Sequence, residues 1–445
     1  MLNIAIIGAG PGGLALALRL HQKGFRPIIY ESAPELKPLG VGVDIKVYGT
    51  REITEMGLLD EFRAISVEAI DSLFFTRYGQ MIYGEKCGKH MGYPHEQRFV
   101  HRGTLQMMLY DAVLKRLGPD AVKLGARCAG FEQDENGVTV HFEAADGVPS
   151  SARHDLLIGA DGIKSVVRNQ LIPGSRGSHY SGIAMWRGVT VMKPYRNGGT
   201  ILHLGDPIAQ GSMIVYPIAN NIDGEGSQLI NWVVEQNGQP KSLEDWNQRV
   251  SPDEIAHNFD ECKLDFVNPG EIIRNAREVY LYPLIDRDPL DQWSFGRVSL
   301  VGDAAHAMYP RGGNGLCQAL VDARVLAEKL AEMTNPVAAL AAYEGARREF
   351  ANRLVIANRG EGPEVVRRIV EERSGGKPFD DIETIFPIAE CEKIFLEYHR
   401  MAGMQRPDDA GPLGFRESFF DESRAQKANV GTDIAGAKGA ARTAG

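Results

Sequence analysis

The feature that most limits what this chain can fold into is a glycine-rich turn close to its first residue. The apolar run Ile4–Ile7 precedes the sequence GAGPGG at residues 8–13, and leucine- and alanine-rich residues 14–20 follow. A short apolar run rich in β-branched residues is typical of a buried parallel strand, and the segment after the turn is typical of a helix. Residues 27–30 then predict a second strand. The chain is therefore expected to begin with a βαβ unit.

Three glycines and one acidic residue of this unit suit the binding of a dinucleotide. Gly8 allows the tight turn after the strand, Gly10 allows backbone to approach a pyrophosphate, and Gly13 allows the helix to pack closely on the sheet. The helix N-terminus faces the phosphates. Glu31, which follows the second strand, is placed to accept hydrogen bonds from a ribose. Because strand, helix and acid come in this order, a dinucleotide loop is favoured over an incidental glycine-rich turn.

Two more apolar runs, at residues 156–160 and 298–301, end in glycine-containing turns. These turns are Asp161-Gly162 and Gly302-Asp303. Open α/β folds bind ligands at the carboxyl edge of the sheet, so Asp303 is a candidate for holding a ribityl or ribose hydroxyl.

The turn after Asp303 leads through a second glycine-rich stretch into a long helix, predicted from about residue 315 to residue 333. The amide-bearing end of this helix suits a partial negative charge, such as that of a reduced isoalloxazine. The candidate residues of this stretch are Pro310, Gly312, Gly313, Asn314 and Gly315.

The pattern of the chain changes along its length, which predicts an α/β fold with an inserted second domain. Between residues 176 and 285, short strand-like runs alternate with Gly and Asn, as in an antiparallel sheet. We therefore predict a discontinuous Rossmann-type dinucleotide-binding domain with an inserted, mostly antiparallel β-sheet domain. The predicted boundaries are 1–70, 101–175 and 286–360 for the former, 71–100 and 176–285 for the latter, 361–420 for a C-terminal helical segment and 421–445 for a flexible tail.

Composition excludes several other classes of protein. Hydrophobic residues make up 43% and charged residues 24% of the 445 residues, which argues against a disordered chain, a coiled coil or a collagen. A net charge of −9 gives no general attraction to nucleic acid or to an anionic membrane. No apolar run reaches the roughly 20 residues of a membrane helix. The five cysteines form no C-x-x-C pair, so we expect a cytoplasmic protein without a metal site.

Together, the three turns resemble those of the class A flavoprotein aromatic hydroxylases, the para-hydroxybenzoate hydroxylase type, over about residues 1–360. The resemblance implies non-covalently bound FAD, with NADH or NADPH as a transient reductant and dioxygen as the second substrate. Several stretches, among them 185–190 and 308–310, resemble a phenazine-carboxylate subgroup of this family. The residues that the resemblance assigns to FAD are Gly8, Gly10, Gly13, Glu31, Arg102, Asp161, Gly162, Gly302 and Asp303, with Pro310 at the reactive face of the flavin.

The resemblance also implies a reaction. A flavin C4a-hydroperoxide would transfer oxygen to an aromatic or N-heteroaromatic carboxylate, with loss of carbon dioxide as an optional outcome. The expected partner is this small aromatic substrate, and the protein is expected to be a monomer or homodimer. A flavin-dependent halogenase is disfavoured because no W-x-W-x-I-P sequence is present. A flavin oxidase or a non-catalytic flavin-binding module on the same scaffold stays open as the alternative.

The substrate pocket is expected to be apolar with few polar anchors, which suits a fused ring. Arg187 is a candidate partner for a substrate carboxylate, although a structural ion pair between domains is the favoured interpretation. His306 is interpreted as a structural, hydrogen-bonded histidine, and no catalytic base is identified. The candidate pocket residues are Val43, Ile45, Trp186, Tyr216, Met308 and Tyr309.

Overall fold

The computed structural model describes residues 2–144, 149–175, 177–206, 211–238, 248–360, 362–404 and 414–415. Its strands are β1 (Ile4–Ile7), β2 (Ile28–Tyr30), β3 (Gly42–Ile45), β4 (Ser66–Glu68), β5 (Asp71–Phe75), β6 (Met81–Lys86), β7 (Arg98–His101), β8 (Val122–Lys123), β9 (Ala126–Gln133), β10 (Val138–Ala144), β11 (Pro149–His154), β12 (Leu156–Gly159), β13 (His179–Met192), β14 (Thr200–Asp206), β15 (Gly211–Ala219), β16 (Gln228–Asn237), β17 (Gln248–Val250), β18 (Val279–Asp286), β19 (Ser294–Phe295), β20 (Val298–Leu300) and β21 (Gly414–Phe415).

The α-helices are α1 (Pro11–Gln22), α2 (Val47–Glu55), α3 (Leu59–Ala64), α4 (Arg102–Leu117), α5 (Val166–Leu171), α6 (Asp253–Ala256), α7 (Pro269–Arg274), α8 (Asp303–His306), α9 (Gly315–Glu332), α10 (Pro336–Arg359), α11 (Val365–Ser374), α12 (Ile382–Ile385) and α13 (Ile388–Met401). Short 3-10 turns lie at Gly88–Met91, Pro119–Ala121, Pro173–Ser175, His257–Phe259, Arg311–Gly313 and Gly362–Glu364. In the part of the chain with described coordinates, no helix is both long and apolar enough to cross a membrane.

A six-stranded sheet, in the order β19-β20-β12-β1-β2-β8, carries the three glycine-rich turns. Its strands run parallel except for β19. Every side chain of β1 is buried, as expected of a parallel strand covered on both faces. Because β1, β12 and β20 are neighbours and parallel, their carboxyl ends meet at one edge. The predicted βαβ unit and the α/β fold class are therefore confirmed.

The second large sheet has nine strands in the order β17-β18-β13-β16-β15-β14-β5-β6-β21. Its neighbours run antiparallel except for β14 and β5. The mostly antiparallel character predicted for the inserted sheet is thus confirmed. β7, whose first three residues fall in the predicted range 71–100, pairs instead with β3 and β4 in a separate three-stranded sheet.

Side chains along the nine-stranded sheet alternate between two faces, as the pleat requires. On one face, Trp232 and Val234 of β16 pack in a core shared with Phe259 and with Ile272 of α7. On the other face, Val233 and Glu235 of the same strand line a cavity. The sheet therefore places every second residue of its central strands at the candidate site.

The C-terminal helices cover this second face. The ring of Phe395, on α13, stacks on Tyr83 at a centroid distance of 4.5 Å and meets Phe74 edge-on at 5.1 Å. Residues 362–404 confirm a helical C-terminal segment. The tail predicted at 421–445 lies outside the described residues, and the domain boundaries stay a prediction.

Candidate functional site

A cleft of about 480 Å³ lies at the edge where β1, β12 and β20 end. Its position follows from the parallel sheet, because all three glycine-rich turns leave the sheet at this edge. The predicted cofactor residues that line it are Gly8, Gly10, Glu31, Arg102, Asp161, Gly162, Gly302 and Asp303.

The glycines of the first turn meet three different steric demands. Gly8 has a φ of +104°, and a Cβ there would lie 2.6 Å from the carbonyl oxygen of Ala160. A Cβ on Gly13 would collide with the carbonyl oxygen of Gly8, so this glycine sets the close contact between α1 and the turn. Gly10 has extended backbone, and a Cβ added there would have no protein atom within 4 Å. Its open side faces the cleft, which fits a bound pyrophosphate.

Glu31 is held at the end of β2 by the same turn. Its carboxylate accepts hydrogen bonds from the backbone N–H of Ala9 and of Ala33, both at 2.8 Å. On the other side of the turn, the side-chain amide of Gln106 donates to the carbonyl oxygen of Ala9 at 2.8 Å. The turn is thus fixed from both sides before any ligand binds, and this preorganisation favours binding.

Asp161 has a structural task as well as a place in the cleft. Its carboxylate accepts from the hydroxyl of Ser165 at 2.6 Å and from the backbone N–H of Val166 at 2.7 Å. Burial nevertheless raises the pKa of Asp161. Gly162 follows with a φ of +75°, a backbone conformation that favours glycine. The aspartate therefore fixes the start of α5 beside the cleft.

The third turn rests on a buried ionic network. The N–H of Gly302 donates to Asp322 at 3.0 Å, and Asp322 also contacts the His306 imidazole at 2.6 Å and the Arg347 guanidinium at 2.8 Å. Burial alone would raise the pKa of Asp322, but the charges of His306 and Arg347 hold it well below its usual range. His306 is therefore a structural residue in this arrangement. Asp303 is exposed to the cleft.

A second cavity, of about 320 Å³, continues from the cleft toward the nine-stranded sheet. Arg102, Asp303 and Leu316 line both spaces and mark their junction. Of the predicted cofactor residues in the glycine-rich stretch, Pro310, Gly312, Gly313 and Gly315 line this cavity, and so does Arg311 between them. An elongated cofactor lying in the cleft would therefore present its far end to the second cavity.

The stretch at the junction is held by two tyrosines through a buried asparagine. Asn314 accepts from the Tyr48 hydroxyl at 2.7 Å and donates to the Tyr398 hydroxyl at 2.7 Å. Gly312 has a φ of +64°, and a Cβ there would overlap the Tyr398 hydroxyl. Burial raises the pKa of Tyr398, so its hydroxyl stays protonated. Asn314 thus positions the stretch instead of lining the cavity.

Three of the six predicted pocket residues line the second cavity, and three do not. Val43, Tyr216 and Met308 line the second cavity. Trp186 does not, because in β13 it lies between Met185 and Arg187, which line the cavity, and therefore points to the opposite face.

Ile45 and Tyr309 also lie away from the cavity. Ile45 is fully buried in the core, where its side chain is next to Gly49 of α2. The hydroxyl of Tyr309 lies 2.7 Å from Nδ1 of His179, and its ring packs in a small buried cluster. The pocket roles predicted for Ile45, Trp186 and Tyr309 are corrected accordingly.

Arg187 is the cationic group whose surroundings differ most from the expectation. Its Nη2 donates to the carbonyl oxygen of Gly42 at 3.3 Å, and its buried Nε has no hydrogen-bond partner among the described residues. Within the same residues, no carboxylate lies within 4.0 Å of its guanidinium. Burial lowers the pKa of Arg187. The interpretation of Arg187 as a member of a structural ion pair is therefore wrong. Lys46, which lines the same cavity, does form an ion pair, with Asp44 at 2.7 Å.

Several cavity residues carry no motif and were not predicted. His203 stacks on Phe74 with ring centroids 4.2 Å apart, and its buried Nδ1 makes no hydrogen bond to the described residues. Glu235 is buried, and this burial raises its pKa. Side chains alternate between the two faces along β14 and β16, and this alternation is a sequence signal that places His203 and Glu235 on the same face as Val233. Arg367 and Tyr398 come from C-terminal helices that have no such signal.

The chain matches known proteins over most of its length. The family described as FAD binding domain matches residues 1–358. The phenazine 1,6-dicarboxylic acid hydroxylase PhzS of Lysobacter antibioticus is 35% identical over 363 residues, which cover 80% of this chain and 89% of that protein. The 3-hydroxybenzoate 6-hydroxylase 1 of Aquipseudomonas alcaligenes is 30% identical over 354 residues, covering 78% and 84%.

Solved structures show the same fold. Klebsiella pneumoniae HpxO, solved with FAD and uric acid, superimposes with a TM-score of 0.67 at 23% identity, covering 88% of this chain and 97% of that one. This likeness agrees with the parallel sheet, the inserted antiparallel sheet and the glycine-rich edge described above. The chain therefore belongs to the FAD-binding-domain family of flavin-dependent aromatic monooxygenases.

Proposed function

We propose that this enzyme uses NADH or NADPH and dioxygen to hydroxylate an aromatic or N-heteroaromatic carboxylate, with or without loss of carbon dioxide. The observation that carries the proposal is the unpaired guanidinium of Arg187 in the cavity wall. A buried cation without an anion is unfavourable. A substrate carboxylate would supply the missing anion, and the charge-assisted hydrogen bond would fix the orientation of the ring. Action in the cytoplasm, as a monomer or homodimer, remains part of the proposal.

The chain's own residues fit an FAD that spans both spaces. Gly10 is open toward the cleft, and Glu31 and Asp303 provide carboxylates at its two ends. Bound FAD would supply the redox chemistry, namely acceptance of a hydride and activation of dioxygen. The protein would contribute binding, orientation of the ring next to Pro310, and exclusion of water.

The walls of the second cavity suit a flat ring. Val43, Met185, Ile214 and Val233 give it apolar surface, and Tyr216 adds an aromatic face. Its volume of about 320 Å³ is at the lower end of the range for small-molecule sites. The names of the two relatives above, a phenazine dicarboxylic acid hydroxylase and a hydroxybenzoate hydroxylase, support an aromatic acid as substrate.

The test is turnover by the FAD-loaded protein with phenazine-1-carboxylate, 3-hydroxybenzoate and the corresponding uncharged carboxamides. Oxidation of NADH and NADPH is followed, and products formed under oxygen-18 dioxygen are analysed by mass. We expect one labelled oxygen atom in the product of an acid. Arg187→Gln should raise KM for that acid by about 10- to 100-fold, from a charge-assisted hydrogen bond worth about 1.5–3 kcal/mol.

Arg249→Gln is the matched control, because Arg249 lies on the same sheet with its side chain 69% exposed. It should leave KM unchanged, and Arg187→Gln should leave KM for a carboxamide unchanged. An unlabelled product contradicts the monooxygenase reaction. Release of hydrogen peroxide with every acid and no hydroxylated product would instead favour a flavin oxidase.

A further inference from the structure

We infer that Arg367 forms a second anion-binding position in the same cavity, so that the preferred substrate is a fused aromatic ring with two carboxylates. The inference rests on the proposed function, because it adds a second carboxylate to the aromatic carboxylate proposed there as the substrate. Arg367 lies on α11, is only 3% exposed and lines the cavity. It comes from a part of the chain beyond residues 1–358, which match the family.

The hydrogen bonding of Arg367 leaves one edge of its guanidinium available. Nη1 donates to the carbonyl oxygen of Leu204 on β14 at 3.0 Å, which fixes the head group against the sheet. Its buried Nε has no hydrogen-bond partner in the described ranges. The edge formed by Nε and Nη2 has the geometry that binds both oxygens of a carboxylate.

The acidic groups near Arg367 do not pair with it. Glu364, Glu235 and Asp206 act on it electrostatically, yet among the described residues none has an oxygen within 4.0 Å of its guanidinium nitrogens. One buried oxygen of Glu364 is also without a hydrogen-bond partner there. An internal pair of Arg367 and Glu364 is therefore the rival arrangement that the experiment must exclude.

The two arginines enter the cavity at different strands of the sheet. Arg187 belongs to β13, whereas Arg367 is anchored on β14, and β16 and β15 lie between these strands. Three strand spacings correspond to about 14 Å. One benzene ring with a single carboxylate is shorter than this span. A fused ring system with carboxylates at opposite ends reaches both guanidinium groups.

The burial of both cations favours the same conclusion. A buried arginine without a directly bound anion is costly, and the charges of Arg102 and Arg311 add to this cost at Arg187 and Arg367, respectively. A dianionic ligand would remove both penalties at once. Glu235 also lines the cavity, and burial raises the pKa of its carboxyl group, which lowers its tendency to act as a competing anion.

The test compares three ligands with one ring system: phenazine-1,6-dicarboxylate, phenazine-1-carboxylate and unsubstituted phenazine. Binding to the full-length, FAD-loaded protein is measured from the change in flavin absorbance, and KM from NAD(P)H oxidation. We expect the dicarboxylate to bind at least 10-fold more tightly than the monocarboxylate. Arg367→Gln should remove most of this difference by weakening the binding of the dicarboxylate. Arg187→Gln should weaken the binding of both acids.

Two further variants complete the design. Arg368→Gln, on the same helix, is the control and should preserve the preference for the dicarboxylate. Arg367→Lys keeps the charge without the two-pronged edge and should retain only part of the preference, which provides a second readout if Arg367→Gln folds poorly. If the wild type binds the mono- and the dicarboxylate with equal affinity, the inference is overturned. If the wild type still turns over the monocarboxylate in that case, the proposed function stands.

Two other outcomes are also decisive. Absence of binding and turnover with all three ligands and with 3-hydroxybenzoate contradicts the proposed function itself. If Arg367→Gln lowers the melting temperature and a second change, Glu364→Gln, restores it without altering ligand preference, the two side chains form an internal ion pair and the inference is overturned.

Discussion

Replacing Gly10 by alanine should separate the folding of the cofactor loop from its ability to bind FAD. The backbone of Gly10 is extended, with φ −67° and ψ 169°, so alanine adopts it without strain. A Cβ there has no protein atom within 4 Å. The FAD-free variant should therefore be about as stable as the wild type, because the lower entropy of the unfolded alanine chain offsets the preference for glycine over alanine at the N-cap of α1.

In contrast to the stability of the FAD-free protein, the affinity for FAD should be lowered by Gly10→Ala. The added methyl group projects into the cleft at the N-terminus of α1, where the pyrophosphate would approach the backbone. Loss of one charge-assisted hydrogen bond costs about 1.5–3 kcal/mol, so the Kd for FAD should rise by about 10- to 100-fold. Titration of the FAD-free protein, followed by flavin fluorescence, measures the Kd, and calorimetry measures the melting temperature.

Two glycine controls make this result specific. Gly345→Ala, at an exposed position of α10 with open space around it, should leave the Kd unchanged. Gly13→Ala should destabilise the protein even without FAD, since its Cβ would collide with the carbonyl oxygen of Gly8. If Gly10→Ala binds FAD as tightly as the wild type, the phosphates do not pass this residue and the assignment of the cleft fails.

Three further changes test the supports of the site. Asp322→Asn should lower the free energy of unfolding by about 3–5 kcal/mol, because it leaves the buried Arg347 cation without an anion; denaturant unfolding showing a loss below about 1 kcal/mol would contradict this. The hydrogen bond from Arg63 helps lower the pKa of Glu96 from 4.5 to about 2, so its stabilisation is complete above about pH 4.5 and is lost as the pH falls toward 2. Glu96→Gln should flatten the pH dependence of the unfolding midpoint in that window, and an unchanged profile would refute the assignment. Tyr398→Phe removes a hydroxyl bonded to Asn314 and should weaken FAD binding several-fold at a stability cost of about 1 kcal/mol, measured by the same titration; an unchanged Kd would show that the junction does not need this contact.

The cofactor cleft could be predicted from the sequence because its determinants are local. Gly8 and Gly10 act within one turn, and the strand before them identifies the edge of the sheet. The parallel pairing of β1 with β12 brings Asp161 to the same edge, so the second motif needed no information beyond the fold class. The residues that hold these motifs in place were harder to predict from the sequence. The sequence pattern around Arg347 is typical of a solvated helix face, yet this residue is buried against Asp322, twenty-five residues earlier.

The second cavity follows a different physical rule, which explains why only half of its predicted residues line it. The aromatic ring of Trp186 makes it a candidate pocket residue, but the pleat decides which residues face the cavity, and these are Met185 and Arg187 on either side. The strand that pairs with β13 follows the same alternation, with Val233 opposite Arg187 and Glu235 opposite Met185. Arg367 enters through a helix whose docking depends on tertiary contacts such as its bond to Leu204. Local sequence motifs therefore identify the cofactor cleft, whereas strand register and the docking of distant helices determine which charged side chains line the second cavity.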